Sequence, residues 1–272
     1  LSRRHAIWIA LFLALVMTAS VFVGGCKPKN ALQAIQKAGK IIVGTSADYS
    51  PFEYVDETTG DYTGFDVELM AKIAEKLGVT VEWKDMDFNI LLNSLQSGQL
   101  DAVIACMTSD AERQQQALFS NGYWVSPDAI LVKNDSGVTI TDPMTDFPGL
   151  RVGVQAGTIQ EGFCKDELIT PGTMPAANLS SYPRADQAVT DLVVGRLDAV
   201  FIDFAVAQAF TEMQPVTVAL IYDLPGDPGI AVKLGEQELV DKINEAIQQL
   251  TDDGTIQQLA DKYEIAAALT EG

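Results

Sequence analysis

Arg113, in a helix start expected beyond one apolar run, and Asp203, at the end of another, could each hold a charged small molecule. Arg113 follows an apolar run over residues 102–105, which reads as a buried strand, and a short loop, Cys106-Met107-Thr108. Ser109-Asp110-Ala111-Glu112 then has the S-x-x-E spacing of a capping box, so a helix is expected to start there with Arg113 in its first turn. Helix N-termini favour anions, and a guanidinium fork matches a carboxylate bidentately. Arg113 therefore reads either as the partner of a ligand carboxylate or as a surface Arg paired with a neighbouring acid. Asp203 ends a second apolar run, Val200-Phe201-Ile202. A carboxylate there is costly to bury unless a cation or donors meet it. It could hold a ligand amine, cap the helix expected from Ala205 onward, or do both. Cys106, at the first strand tip, could touch a ligand through its backbone.

The composition closes off other chemistry. The one histidine, His5, lies in the apolar leader, so Ser-His-Asp, Cys-His and His-ligated zinc sites are excluded from the body of the chain. Asp85-Met86-Asp87-Phe88-Asn89 has the alternating acids of a calcium loop. Ile90 stands where the loop Gly belongs and Gln96 where the closing Glu belongs, so no metal site is expected. No cofactor motif is present. Net charge is −19, and Arg3 and Arg4 are the only Lys, Arg, Asp or Glu among the first 25 residues, so the remainder is more acidic still. Such a body suits neither nucleic acid nor anionic lipid.

Elements that would position these groups follow from the apolar pattern. Residues 1–25 read as an export signal: Arg3-Arg4, an apolar run over 6–23, then Gly24-Gly25. Gly-Gly-Cys26 resembles a bacterial lipobox, which would make Cys26 the lipidated mature N-terminus. A single membrane anchor is the alternative, since 18 apolar residues is about the lower limit for spanning. Residues 26–39 form a tether ending in a small helix. Strands then alternate with helices, which implies a parallel sheet with right-handed crossovers. Asp66 is expected to cap a helix over 67–77. Residues 171–183 read as loop. Cys106 and Cys164 fall in different halves and are expected to stay free.

An internal repeat organises the chain. Residues 95–103 and 192–200 both read L-x-x-G-x-L-D-A-V, and Val43-Gly44 echoes Val152-Gly153. Two similar α/β lobes with strand ends facing a common cleft explain both echoes. Cys106 and Asp203 then occupy equivalent tips, and Gln155-Ala156-Gly157-Thr158 forms another, with Thr158 capping a helix aimed at the same cleft.

Residues 45–53, Gly64-Phe65-Asp66-Val67, Asp87-Phe88, the two repeat segments, Met107-Thr108 through Arg113, residues 153–158 and Asp252-Asp253-Gly254-Thr255 together resemble the polar amino-acid family of extracytoplasmic solute-binding proteins. That resemblance, over about residues 40–263, implies an α/β, two-lobed periplasmic-binding-protein-like (type II) fold. Each lobe would be a mainly parallel sheet flanked by helices, with residues 40–127 and 229–272 in one lobe and 128–228 in the other. Two crossings, near 126–129 and 227–229, would be the hinge. The resemblance also implies roles. Arg113 would bind a ligand α-carboxylate with help from Thr108, and Asp203 the α-ammonium. Tyr49 and Phe88 would wall the side-chain pocket, although alone such aromatics are more often core. Gln155, Gly157 and Thr158 would contribute from the second lobe.

The sequence departs from the family pattern in three places. Ser46 stands where many members carry an Asp, Ile159 replaces a frequent hydroxyl residue, and Cys106 replaces a common Gly or Ser. Ser46 favours an uncharged polar ligand. The expected partners are a free amino acid, the permease subunits of an ABC importer, and a membrane reached through lipid on Cys26, with the protein itself a monomer. An enzyme of the same fold, such as a cyclohexadienyl dehydratase, is the alternative, although no general acid pair stands out. A receptor sensor domain is a third reading.

Overall fold

The computed structural model describes residues 30–265, and the leader with Cys26 lies outside them. Two five-stranded sheets form two lobes. The first has the order β5-β1-β6-β13-β7: β1 (Lys40–Thr45), β5 (Thr80–Asp85), β6 (Ala102–Val103), β7 (Ala117–Phe119) and β13 (Ala231–Lys233). The second has the order β10-β9-β11-β8-β12: β8 (Asp128–Lys133), β9 (Val152–Gln155), β10 (Leu179–Tyr182), β11 (Ala199–Asp203) and β12 (Val216–Tyr222). A small third sheet comprises β2 (Asp48–Tyr49), β3 (Glu53–Val55) and β4 (Tyr62–Thr63).

The sheets are mixed rather than mainly parallel. In the first, β5-β1 and β1-β6 are parallel, whereas β6-β13 and β13-β7 are antiparallel. The second repeats this pattern, with β10-β9 and β9-β11 parallel and β11-β8 and β8-β12 antiparallel. The chain passes from the first sheet to the second after β7 and returns before β13. Strands entering across such crossings run opposite to those laid down by strand–helix–strand units, which is why alternation alone did not reveal them. β10 lies in a stretch expected to be loop, because Leu179-Ser180-Ser181-Tyr182 is a half-exposed edge strand without an apolar run.

The sequence repeat has a shared structural cause. Asp101 N–H donates to the Ile42 carbonyl, and Ile42 N–H returns a bond to the Asp101 carboxylate. Asp198 and Arg151 make the same exchange in the second lobe. A Cβ added to Gly44 would lie 2.4 Å from Leu100 Cδ1, and one on Gly153 would lie 2.3 Å from Leu197 Cδ1. Each repeat Leu thus fills the space its strand Gly leaves open, and each repeat Asp pins that strand's start.

Aromatic packing supports both lobes. Phe65 meets Phe52 edge-on at 6.1 Å, and Phe201 is held between Phe147 and Phe163, each at 5.8 Å. All but Phe163 are fully buried. The helix Phe65–Leu77 begins two residues earlier than expected and is not capped by Asp66. Its first N–H groups, on Phe65 and Asp66, donate to the Pro51 and Phe52 carbonyls. Gly64, at φ 123°, permits that approach, since a Cβ there would lie 2.2 Å from the Phe52 oxygen. The Asp66 side chain is thereby freed to turn inward, where it is fully buried.

Candidate functional site

Strand ends of both lobes converge on one cavity in the cleft between them. From the first lobe it is lined by Tyr49, Phe88, Cys106, Thr108 and Arg113, and from the second by Gln155, Thr158 and Asp203. Ser46 and Gly157 are not on its wall. The Ser46 hydroxyl donates to Asp48 at 2.7 Å and lies behind Gln155, whose Nε2 is 3.5 Å away.

Arg113 is buried but not in a helix started by a capping box. Asp110, not Ser109, accepts from the Glu112 and Arg113 N–H groups at 2.9 and 2.8 Å, and one 3-10 turn, Arg113–Gln115, follows. Thr158-Ile159-Gln160-Glu161 carries the same spacing and forms the hydroxyl half of a capping box, while its Glu reaches one residue further back. There Thr158 caps the helix Ile159–Phe163 by accepting from Glu161 N–H, and the Glu161 carboxylate accepts from Gly157 N–H at 2.8 Å. The Arg113 guanidinium donates to the Thr108 carbonyl and, across the cleft, to the Gly157 carbonyl, both at 2.7 Å. It also lies 5.4 Å from the Phe88 ring centroid, a cation–π distance. Burial lowers its pKa, yet a guanidinium stays charged. Gly157, at φ 79°, must be glycine for the lobes to meet this closely, because a Cβ would lie 2.9 Å from that of Asn89.

Asp203 takes the capping role that its sequence position suggested. It lines the cavity, and its carboxylate caps the helix Phe204–Met213 by accepting from Ala205 N–H at 3.0 Å. Burial pushes its pKa up to about 6, against the donors that favour its charge. Tyr49 bridges the cleft, its hydroxyl accepting from Asp203 N–H at 3.2 Å. Cys106, held at φ 43°, points its thiol at the Asp203 carboxylate 3.8 Å away. Burial raises that thiol's pKa well above the ordinary value, so it is a poor nucleophile. Cys106 and Cys164 are both free.

The cleft is closed, and a polar latch stands at its rim. Arg184 of the second lobe reaches Asp85 at 2.9 Å through both Nη atoms, Asp87 at 3.3 Å and Asp48 at 3.4 Å. Asp48 also accepts from Ala185 N–H at 2.5 Å, at the start of the helix Ala185–Val193. The alternating acids of 85–89 thus face a guanidinium.

Several lining residues have no site role in the sequence analysis, Asp128 and Gln160 among them. An acid directly before the apolar run Ala129-Ile130-Leu131-Val132 was the available signal for the first. For Gln160, only the capping box at Thr158 could have set the helix phase.

Behind the cavity lies a carboxyl pair. Asp66 accepts from Cys106 N–H and from the Tyr123 hydroxyl, both at 2.7 Å, so it holds the strand tip that presents Cys106. Its other oxygen and both oxygens of Glu53 have no donor when both groups are ionised. A proton shared between them supplies it. Burial, followed for Glu53 by the Asp66 charge, raises Glu53 well above the carboxylate range, and burial raises Asp66 to about 7. Groups raised in this way stabilise the fold below their unfolded pKa values and lose that contribution as pH rises toward 7 and beyond. A Glu53→Gln amide donates without a titrating proton. Its melting temperature should therefore gain on the parent's as pH goes from 5 to 8, and parallel melting curves would refute the shared proton.

With this geometry in view, comparison with known proteins is decisive. The profile of the bacterial extracellular solute-binding proteins, family 3, matches residues 41–266. The chain belongs to that family. This solute-binding protein is 35% identical to the arginine-binding extracellular protein ArtP of Bacillus subtilis over 260 residues, covering 94% of this chain and 97% of that one. It is 29% identical to the L-cystine-binding protein TcyJ of Escherichia coli K12, covering 92% of each. Among solved structures, an ancestral arginine-binding protein bound to arginine superposes with a TM-score of 0.76 at 37% identity, covering 83% of this chain and 98% of that one. The two-lobed fold follows from these matches, and the chain is a binding protein rather than an enzyme. Among its described residues, no group of three or more His, Cys, Asp or Glu is placed to hold a metal ion.

Proposed function

We propose that this solute-binding protein captures a free amino acid between its lobes and delivers it to an ABC importer. One observation carries the reading: a buried guanidinium from one lobe and a buried carboxylate from the other line the same cavity. Arg113, aided by Thr108, takes the α-carboxylate in exchange for its carbonyl partners, and Asp203 takes the α-ammonium. Tyr49 and Phe88 wall the side chain, Gln155 and Thr158 close over it, and Cys106 backs the ammonium end. Gly157 serves by letting the lobes meet. A zwitterion satisfies both charges only when the cleft is shut, so it binds the closed state better and shifts the hinge equilibrium. The hinge lies at the crossings near 126–129 and 227–229, dividing 40–127 and 229–272 from 128–228. Lipid on Cys26 tethers the monomer outside the cell, beside the permease.

Two side-chain classes have support. Ser46, lacking the acid that pairs with cationic ligands, favours an uncharged polar side chain, an influence that reaches the cavity through Gln155. The arginine bound by two of the relatives favours a cationic one.

The test is a thermal-shift screen of the full chain against the twenty amino acids. A ligand at about 100 times its Kd adds about 2.7 kcal/mol, which raises the melting temperature by several degrees in a domain pair of this size. A screen in which no amino acid shifts the transition would refute the reading.

A further inference from the structure

We infer that Asp128 is a specificity-determining carboxylate that selects a ligand with a cationic side chain. This rests on the amino-acid reading above and deepens it. Asp128 opens β8, sits directly opposite Asp203 in the antiparallel register of β8 and β11, and lines the same cavity. Residues paired in this way project to the same face of a sheet. Both carboxylates are more than nine-tenths buried, at 3% and 6% exposure.

The cavity's own charges do not balance. Its wall carries one cation, Arg113, against two acids, Asp128 and Asp203. Arg113 lies across the cleft beside Thr108, Gly157 and Phe88, and its nearest carboxylate is Asp110. Asp128 makes no ion pair among the described residues; it accepts only from Gln160 Nε2 and from Leu224 N–H at 3.2 Å. Each of its oxygens therefore keeps a lone pair for a further donor. A neutral zwitterion cancels Arg113 with its carboxylate and Asp203 with its ammonium, leaving Asp128 as an uncompensated buried charge. That is costly, and in such a site a carboxyl takes up a proton instead. A guanidinium or ammonium on the ligand side chain removes the deficit without a proton. Burial, reinforced by the Asp203 charge, already holds Asp128 up at about 8 in the closed protein. The acid missing at Ser46 on the first lobe is thus replaced by one on the second, and this one is on the cavity wall.

Calorimetry on the full chain at pH 7.5 with L-arginine, L-lysine and L-glutamine, repeated for Asp128→Asn, tests this. Asparagine keeps an oxygen for Leu224 and the size of the side chain while removing the charge. The parent should bind arginine or lysine at least tenfold more tightly than glutamine, and the variant should lose at least tenfold for the cationic ligand while glutamine changes little. A variant that preserves the cationic-to-neutral ratio overturns the inference. If the variant does not fold, the parent's ranking decides: glutamine at or above both cationic ligands overturns it. Failure to bind any of the three, with no shift by any amino acid in the thermal screen, would instead refute the amino-acid reading itself.

Discussion

An Arg113→Ala variant is expected to fold and to bind no amino acid at concentrations that saturate the parent. The guanidinium's present partners, the Thr108 and Gly157 carbonyls, show that its fork is aimed into the cleft with its hydrogens directed at acceptors. A ligand carboxylate would take two charge-assisted bonds from it, each contributing roughly 1.5–3 kcal/mol. Losing both changes a micromolar ligand into a millimolar or weaker one. The fold should tolerate the change. Arg113 belongs to none of the apolar clusters, and the turn around it is held by Asp110 through backbone N–H groups that the substitution leaves in place. Calorimetry gives the affinity and thermal unfolding the control; an affinity within threefold of the parent's would sink the assignment.

The second large effect is expected at Asp203, where two jobs can be separated. Asparagine caps helices about as well as aspartate, so Asp203→Asn should keep the helix Phe204–Met213 and the melting temperature while losing the charge that meets the ligand ammonium. Affinity should fall at least tenfold. Asp203→Ala removes the bond from Ala205 N–H as well, and should cost about 1 kcal/mol of stability in addition. Should Asp203→Asn bind as the parent does, the ammonium is held elsewhere, and the paired Asp128 becomes the first place to look.

Asp203 was visible in the sequence because it directly ends an apolar run, where a charge must be met by something, and Arg113 because a helix start was expected between such a run and it. The reason given for Arg113 was nevertheless wrong in detail. Ser109 and Glu112 match the capping-box spacing, but Asp110 sits between them and its shorter reach to the Glu112 and Arg113 N–H groups wins, leaving one 3-10 turn. At Thr158 no such competitor intervenes, and the hydroxyl caps the helix as expected. Asp66 shows a related failure. Its position before an apolar helix reads as a cap, yet carbonyls from Pro51 and Phe52 satisfy the helix start and release the carboxyl into the core.

What the sequence by itself determined is local and periodic: the two-lobe plan announced by the L-x-x-G-x-L-D-A-V repeat, the strand tips that carry Arg113 and Asp203, and the absence of histidine chemistry from the body. Each depends on neighbours within a few residues or on a pattern that recurs. Only the tertiary structure decided which groups share the cavity, because that depends on strand pairings between distant segments. Asp128 lies opposite Asp203 through such a pairing, Gly157 meets Arg113 across the closed cleft, and Ser46 stands behind Gln155 rather than on the wall. No spacing along the chain encodes those distances; packing two lobes face to face creates them.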